Sequence, residues 1–470
     1  MRRPLRHAIS AVALFAAGAL FCCAAACGSG SSLTQFDFTS AWHVKDGFLR
    51  DPQGRAVILH GANLAGAQKN PPYWGFHTAA DYARLRDEWG MNAIRFVVTW
   101  AAIEPEEGQY DDAFLDQVAM RMQWARDANL LVVIDMHDDV YGEGFVQGGG
   151  DGAPKWSCDA SNYASFQPLD QWYLNDLTGE VTACYDHFWQ SSDLYPHYEE
   201  AWKRLAARVA SFDNVIGFDP INEPYWGSTP VLGFEPSILQ PFYEKLVPAV
   251  RSVAPSLVAF LEPSTFRNLG GNTRLVPFPF EDVVYSPHSY DRDAESGVGF
   301  DPSHRDPLIA NIDALAGEAT SLNAALFIGE YGGMANTPGI VDYMTAQYDG
   351  AGKHAASSMY WSYDESDNYG LLNVDGSEKT ILTNVGARPY PERVAGTPSS
   401  YAFDAASSTF TFSYAPDASI AAPTIVSIPD RVYPNGYQVE CGGCAYDKSA
   451  GSLAITKPPS GDTVTVTVHP

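Results

Sequence analysis

Basic residues are scarce. Lys and Arg together number 29 against 56 Asp and Glu, a formal charge of −27. Such a chain lacks the cations that nucleic-acid phosphates demand and that electrostatic docking on anionic lipid demands. The acid surplus serves solubility. The sequence also lacks a cluster with metal-ligand spacing and a glycine loop able to cradle phosphates, so no cofactor, metal or nucleic-acid partner is expected. Internal repeats are missing. Long apolar runs are limited to one, Ala8–Ala26, preceded by Arg2, Arg3 and Arg6 and followed by Gly28-Ser29-Gly30-Ser31-Ser32. A basic start, an apolar middle and a small-residue exit are the pattern of an export signal over residues 1–27. Ala24-Ala25-Ala26-Cys27 also resembles a bacterial lipoprotein cleavage box, although Ala24 stands where Leu is usual. Secretion and lipid anchoring through Cys27 at the cell envelope both remain open.

Cysteine is sparse too, at seven residues. Cys22, Cys23 and Cys27 fall in the export segment. Cys158, Cys184, Cys441 and Cys444 remain, an even number suited to an oxidising compartment. The expected pairs are Cys158–Cys184 and Cys441–Cys444. The second is a Cys-x-x-Cys, but no further Cys pair or nearby His completes a zinc set.

What is present is enough for a large core. Hydrophobic residues make up 46% and charged residues 18% of 470 positions, which excludes global disorder. The length exceeds one ordinary domain and fits a barrel with a smaller module. After a Gly/Ser linker at residues 28–40, short apolar runs alternate with amphipathic stretches such as Ala79–Trp89 and Phe114–Ala128. The runs are Val57–Ala65, Ala93–Trp100, Leu130–His137, Val215–Glu223, Leu257–Pro263, Val283–Tyr290, Leu326–Tyr331 and Ser357–Tyr363. Eight such runs predict an α/β fold, a (β/α)8 TIM barrel over 41–386, with strands buried on both faces. Two long segments, Asp138–Asp193 and Tyr225–Gln240, follow the third and fourth runs and read as lids or pocket walls. From residue 387 to 470 the runs Ser408–Tyr414, Thr424–Ile428, Gln438–Cys441, Leu453–Thr456 and Thr463–Val468 are β-branched or alternating between turns. They predict a small C-terminal β-sandwich.

Chemistry concentrates where runs end. Ile221-Asn222-Glu223-Pro224 closes the fourth and Phe327-Ile328-Gly329-Glu330-Tyr331-Gly332 the seventh. Two Glu residues at the ends of strands four and seven face each other across a barrel mouth, the disposition a retaining glycosidase needs. One must stay ionised and the other must hold a proton near neutral pH.

The chain resembles glycoside hydrolase family 5 on eight positions taken in strand order. These are Arg95 in Asn92-Ala93-Ile94-Arg95, His137, Asn222 with Glu223, His288 and Tyr290 in Pro287-His288-Ser289-Tyr290, Glu330, and Trp361 in Tyr360-Trp361. The resemblance implies Glu223 as acid/base and Glu330 as nucleophile. Arg95 and Tyr290 would hold the nucleophile and His288 would tune the acid/base. His137, Asn222, Tyr290 and Trp361 would meet the reacting sugar. Taken singly, Arg95, His288 and Trp361 read equally well as an ion pair, a core histidine and a packing ring.

A narrower resemblance is to endoglycoceramidases, from about residue 40 to 470. It rests on Leu59-His60-Gly61-Ala62-Asn63, Lys69-Asn70, Asp135-Met136-His137-Asp138-Asp139-Val140-Tyr141-Gly142 and Gly152-Ala153-Pro154. It implies a glycolipid or oligosaccharide substrate cut between glycan and ceramide, with contact to a membrane surface and a monomeric enzyme. Lys69 and Asp139 would hold sugar beyond the reacting site, with a loop salt bridge as the plain alternative. Trp172 is a further stacking candidate. The usual Gln after the strand-three His is Asp138 here, and the insert carrying Cys158 and Cys184 differs. Rival readings are a glycolipid or steryl β-glucosidase, an endogalactosylceramidase, an endo-β-glucanase or mannanase, and, outside enzymes, a carbohydrate-binding protein.

Overall fold

The computed structural model describes residues 41–458, 461 and 463–470. The expected export signal, its linker and Cys22, Cys23 and Cys27 lie outside the described residues. Eight parallel strands close a barrel: His60–Leu64, Ala93–Val98, Leu131–Met136, Val215–Asp219, Val258–Leu261, Val283–Tyr285, Ala325–Ile328 and Ser357–Tyr363. Each lies inside or within one residue of an apolar run named above. Nearly every strand residue is buried, because the interior side chains fill the barrel and the outer ones meet helices.

Local chemistry starts the helices. Thr78 precedes Ala79–Asp87, and its N–H donates to Asp81 Oδ2 at 2.7 Å. Asp111 caps Asp112–Asp127 by accepting from Phe114 N at 2.9 Å. Each thereby satisfies an otherwise orphaned first-turn group. One unit departs from the regular alternation. Between the fifth and sixth strands, residues 262–282 form turns and no helix. Pro263, Pro277, Pro279 and the pair Gly270-Gly271 disfavour helix there.

The C-terminal module is a two-sheet sandwich. One sheet is four-stranded and contains Gly396–Asp404, Thr409–Pro416, Val464–His469 and Gln438–Glu440. The other is seven-stranded and holds an unanticipated contribution. His43–Lys45, Phe48–Arg50 and Ala56–Val57 extend it, and Ala56–Val57 pairs antiparallel with Tyr390–Val394. Residues 43–57, placed with the barrel on sequence, thus run in the sheet of the C-terminal module. Buried Arg86 binds Glu392, and buried Arg55 and Arg393 bind Asp51. Phe410, Phe412, Val464, Val466 and Val468 fill the space between sheets, following the period of two along their strands. The structure contains the Cys158–Cys184 and Cys441–Cys444 disulfides.

Candidate active site

Arg95 is fully buried inside the barrel at the second strand. Its guanidinium donates to Glu330 Oε1 at 2.7 Å and to Glu262 Oε1 at 2.8 Å. It also lies 2.9 Å from Asp135 Oδ1 and 3.2 Å from Asp219 Oδ2, and donates to Asn63 and Asn222 at 3.1 Å each. Burial opposes its charge, but Asp135, Asp219, Glu330 and Glu262 outweigh burial and hold it firmly cationic. One cation among four carboxyls leaves excess negative charge. Burial and Glu262 accordingly push the Asp219 pKa up, with Arg95 opposing.

Glu330, at the end of the seventh strand, is buried. Tyr290 Oη donates to its Oε2 at 3.0 Å. Burial raises its pKa, with His288 and Arg95 opposing. Glu223, at the end of the fourth strand, is more open, with its side chain 24% exposed. Its Oε1 accepts from His288 Nδ1 and from Asn268 Nδ2, both at 2.7 Å. Its backbone has φ 39°, in the left-handed region, and its N–H is held by Glu262 Oε2 at 2.8 Å. Strain of this kind persists only where surrounding bonds over-determine it. An oxygen of Glu223 and an oxygen of Glu330 lie within 4.8 Å, with His288 between them. His288 Nε2 lies 3.2 Å from Glu262. Burial disfavours its charge, yet Glu262, Glu330 and Glu223 hold it well above the ordinary histidine value.

The residues expected to meet sugar stand at the first, third, fourth and eighth strand ends. His137 Nδ1 donates to Asp135 Oδ2 at 2.7 Å, and its Nε2 is buried without a hydrogen-bond partner among the described residues. Burial and Lys69 press His137 toward neutrality, but Asp135 and Asp139 lift it to about 10. The half-buried Trp361 ring stacks on His137 at 5.1 Å and 13°. Lys69 Nζ sits 4.8 Å from the Trp361 ring centre. Lys69 and Asp139 do form a salt bridge, and it stands at the cleft beside Trp361 and His137. Asn222 is more committed than expected: Oδ1 accepts from Arg95, and Nδ2 donates to Asp138 O at 3.0 Å. One amide N–H remains. Trp172 is exposed at the start of the helical turn Trp172–Leu177, against Tyr173 and over Gly149.

Sequence reading missed Glu262, Asn268, Asp135, Asp219 and Asp151. For Glu262 the signal existed, since Leu261-Glu262-Pro263 repeats at strand five the Glu-Pro that ends strand four. Asp135 and Asp219 were visible as acids inside fully apolar runs, which a buried strand tolerates only when they are paired.

Residues 51–367 match the model of cellulase (glycosyl hydrolase family 5), and residues 388–468 match the glycoside hydrolase family 5 C-terminal domain. Endoglycoceramidase I of Rhodococcus hoagii (strain 103S) is 26% identical over 441 residues, covering 88% of this chain and 84% of its own. Endo-glycoceramidase II from Rhodococcus sp., solved as a ganglioside GM3 complex, superposes with a TM-score of 0.81 at 31% identity, over 90% of this chain and 99% of its own. Its lactosyl-enzyme intermediate gives 0.80 at the same identity and coverage. With the family model spanning the barrel and its companion spanning the sandwich, this chain belongs to glycosyl hydrolase family 5.

Proposed function

We propose that this enzyme hydrolyses the bond between oligosaccharide and ceramide in glycosphingolipids with retention of anomeric configuration. The observation that carries the mechanism is the approach of one Glu223 oxygen to one Glu330 oxygen within 4.8 Å, with His288 donating to Glu223 and 3.6 Å from Glu330. Retaining glycosidases hold their carboxyls about 5–5.5 Å apart, and inverting ones about 6.5–9.5 Å, to admit a water. Glu330 attacks the anomeric carbon while Glu223 protonates the departing glycosidic oxygen. Glu223, now a base, then takes a proton from water as water displaces Glu330. Arg95 and Tyr290 fix the attacking carboxylate by donating to both its oxygens. His288 orients Glu223 and supplies positive charge between the two carboxyls. His137 Nε2 and the remaining Asn222 N–H meet ring hydroxyls, and Trp361 forms the floor. Lys69 and Asp139 hold the next sugar outward.

The substrate class follows the relatives, since the endo-glycoceramidase II structures with GM3 and with a lactosyl-enzyme intermediate cover nearly the whole chain. Exposed apolar side chains agree with a lipid-borne substrate. Val146, Trp172 and Leu177 follow the third strand, Leu232 the fourth, Leu269 the fifth and Val298 the sixth. All stand on the connections, loops and short helical turns alike, that leave the strand ends carrying the site. At −27 the chain would meet a membrane through these groups rather than through attraction to anionic lipid. Export by residues 1–27, with or without acylation of Cys27, would bring a monomer to that substrate. Labelling with palmitate, compared with Cys27→Ala, decides the acylation.

Mass spectrometry of products from a ganglioside, galactosylceramide and a soluble β-glucan tests the function. Intact oligosaccharide and ceramide are expected from the ganglioside. Cleavage of the glucan alone would overturn the substrate class, and an inverted anomer in the first product would overturn the mechanism.

A further inference from the structure

The third-strand loop folds back on itself. Asp139 and Asp151 form an antiparallel bridge, with Asp139 N–H donating to Asp151 O at 3.1 Å and Asp151 N–H to Asp139 O at 2.9 Å. Ala153 then bridges Gly142, and Gly152 O accepts from Ala101 N at 2.8 Å, which pins the returning arm to the second-strand loop. Glycine makes the return possible. A Cβ on Gly150 would lie 2.5 Å from Gly142 O, and one on Gly152, at φ +111°, would lie 2.3 Å from Asp138 Cβ. The run Gly148-Gly149-Gly150-Asp151-Gly152 therefore delivers a single side chain of substance, Asp151, beside Asp139.

Both carboxylates converge on one ammonium. Lys69 Nζ is paired with Asp139 and lies 3.4 Å from Asp151 Oδ2. Asp151 is 3% exposed, and its Oδ1 has no hydrogen-bond partner among the described residues. Within the His137–Asp139–Asp151 group, the Lys69 ammonium lies against both carboxyls. An ammonium has three donors on a freely turning axis. One carboxylate would leave the other two undirected. The hydrogen bond to Asp139, the Asp151 carboxyl 3.4 Å away and the Trp361 ring together restrict that rotation.

We infer that Asp151 is a positioning residue that sets specificity for the sugar beyond the reacting one, by holding the Lys69 ammonium so that its third N–H meets a hydroxyl of that sugar. Its action is through Lys69, and it bears on binding of a disaccharide unit rather than on bond cleavage. The inference rests on the proposed role of Lys69 at that sugar.

The test compares p-nitrophenyl β-lactoside with p-nitrophenyl β-glucoside, which share a leaving group and differ by the outer sugar. Asp151→Ala should raise KM for the lactoside about tenfold, the size of one charge-assisted hydrogen bond, with kcat within about threefold. The glucoside should change by no more than about twofold in either constant. Asp151→Asn keeps an acceptor for Lys69 and should recover most of the lactoside KM, and it substitutes for the alanine variant if that one folds poorly. Equal losses on both substrates, or no loss on either, would overturn the inference. Lys69→Met separates the two levels. If it discriminates the substrates and the Asp151 variants do not, only the positioning role fails; if it does not discriminate, the reading of Lys69 fails and the inference with it.

Discussion

Glu262→Gln is the sharpest single probe of the catalytic network. Glu262 carries no proposed chemistry, yet three groups lean on it. Its Oε2 accepts the Glu223 N–H at 2.8 Å, its Oε1 accepts from Arg95 at 2.8 Å, and Oε1 lies 3.2 Å from His288 Nε2. A carboxylate offers only acceptors, whereas a glutamine offers one oxygen and one NH2. Either orientation of the amide sets an NH2 against a donor. The least cost is one charge-assisted hydrogen bond, about 1.5–3 kcal/mol. If the left-handed Glu223 backbone relaxes as a result, that loss appears in kcat/KM as about 10- to 100-fold. A second effect has a definite sign. Glu262 heads the groups that, against burial, raise the His288 pKa. Neutralising it lowers that pKa, so His288 loses its proton at a lower pH and the basic limb of kcat/KM moves toward acid. The assay is the pH profile of kcat/KM on p-nitrophenyl β-lactoside, beside a melting curve to show that the fold is intact. Wild-type kcat/KM with an unmoved basic limb would refute the reasoning. A loss without movement of the limb would refute its electrostatic half.

Glu330→Ala should abolish turnover, and added azide should then yield an α-glycosyl azide; a β-azide would contradict the assignment of the nucleophile. Glu223→Ala should slow natural glycolipid far more than activated aryl lactoside, and equal slowing would remove Glu223 as the acid. Replacing Cys158 and Cys184 by Ser reopens a loop of sequence separation 26 and should cost about 3–4 kcal/mol on the loop-entropy model, read as a lower melting temperature; an unchanged one would contradict this. Leu177→Ser with Val298→Ser should weaken activity on vesicle-borne glycolipid several-fold and spare p-nitrophenyl β-lactoside. Equal rates on both for variant and wild type would place membrane contact elsewhere.

The barrel was legible because its signal is local. Each of the eight strands is a short run that must be apolar on both faces, and Glu223 and Glu330 stand out because a charge directly after such a run has to face the cleft. Arg95, His137, His288, Tyr290 and Trp361 were found through their order along the chain and are brought together in the structure. The sandwich strands Ser408–Tyr414 and Thr463–Val468 announced themselves by β-branched or alternating residues. Tyr390–Val394 did not, being buried at every position and carrying Pro391, Glu392 and Arg393.

Sequence alone thus determined the strand count and the two glutamates with their strands; it suggested the pairing of four cysteines, which the structure contains. Tertiary structure alone decided the distance between the carboxylates and which acids share Arg95. It also decided that the Asp219 and His288 pKa values are pushed up, and that residues 43–57 complete a sheet more than 300 positions away. The division has a physical cause. Periodicity is written in neighbouring residues, whereas desolvation, charge coupling and edge-strand pairing depend on what long-range folding brings within a few ångströms. Lys69 and Asp139 show both halves. The resemblance to endoglycoceramidases implied a sugar site, with a loop salt bridge as the plain alternative, and the folded loop forms the salt bridge at the cleft, with Asp151 as a third member that no spacing revealed.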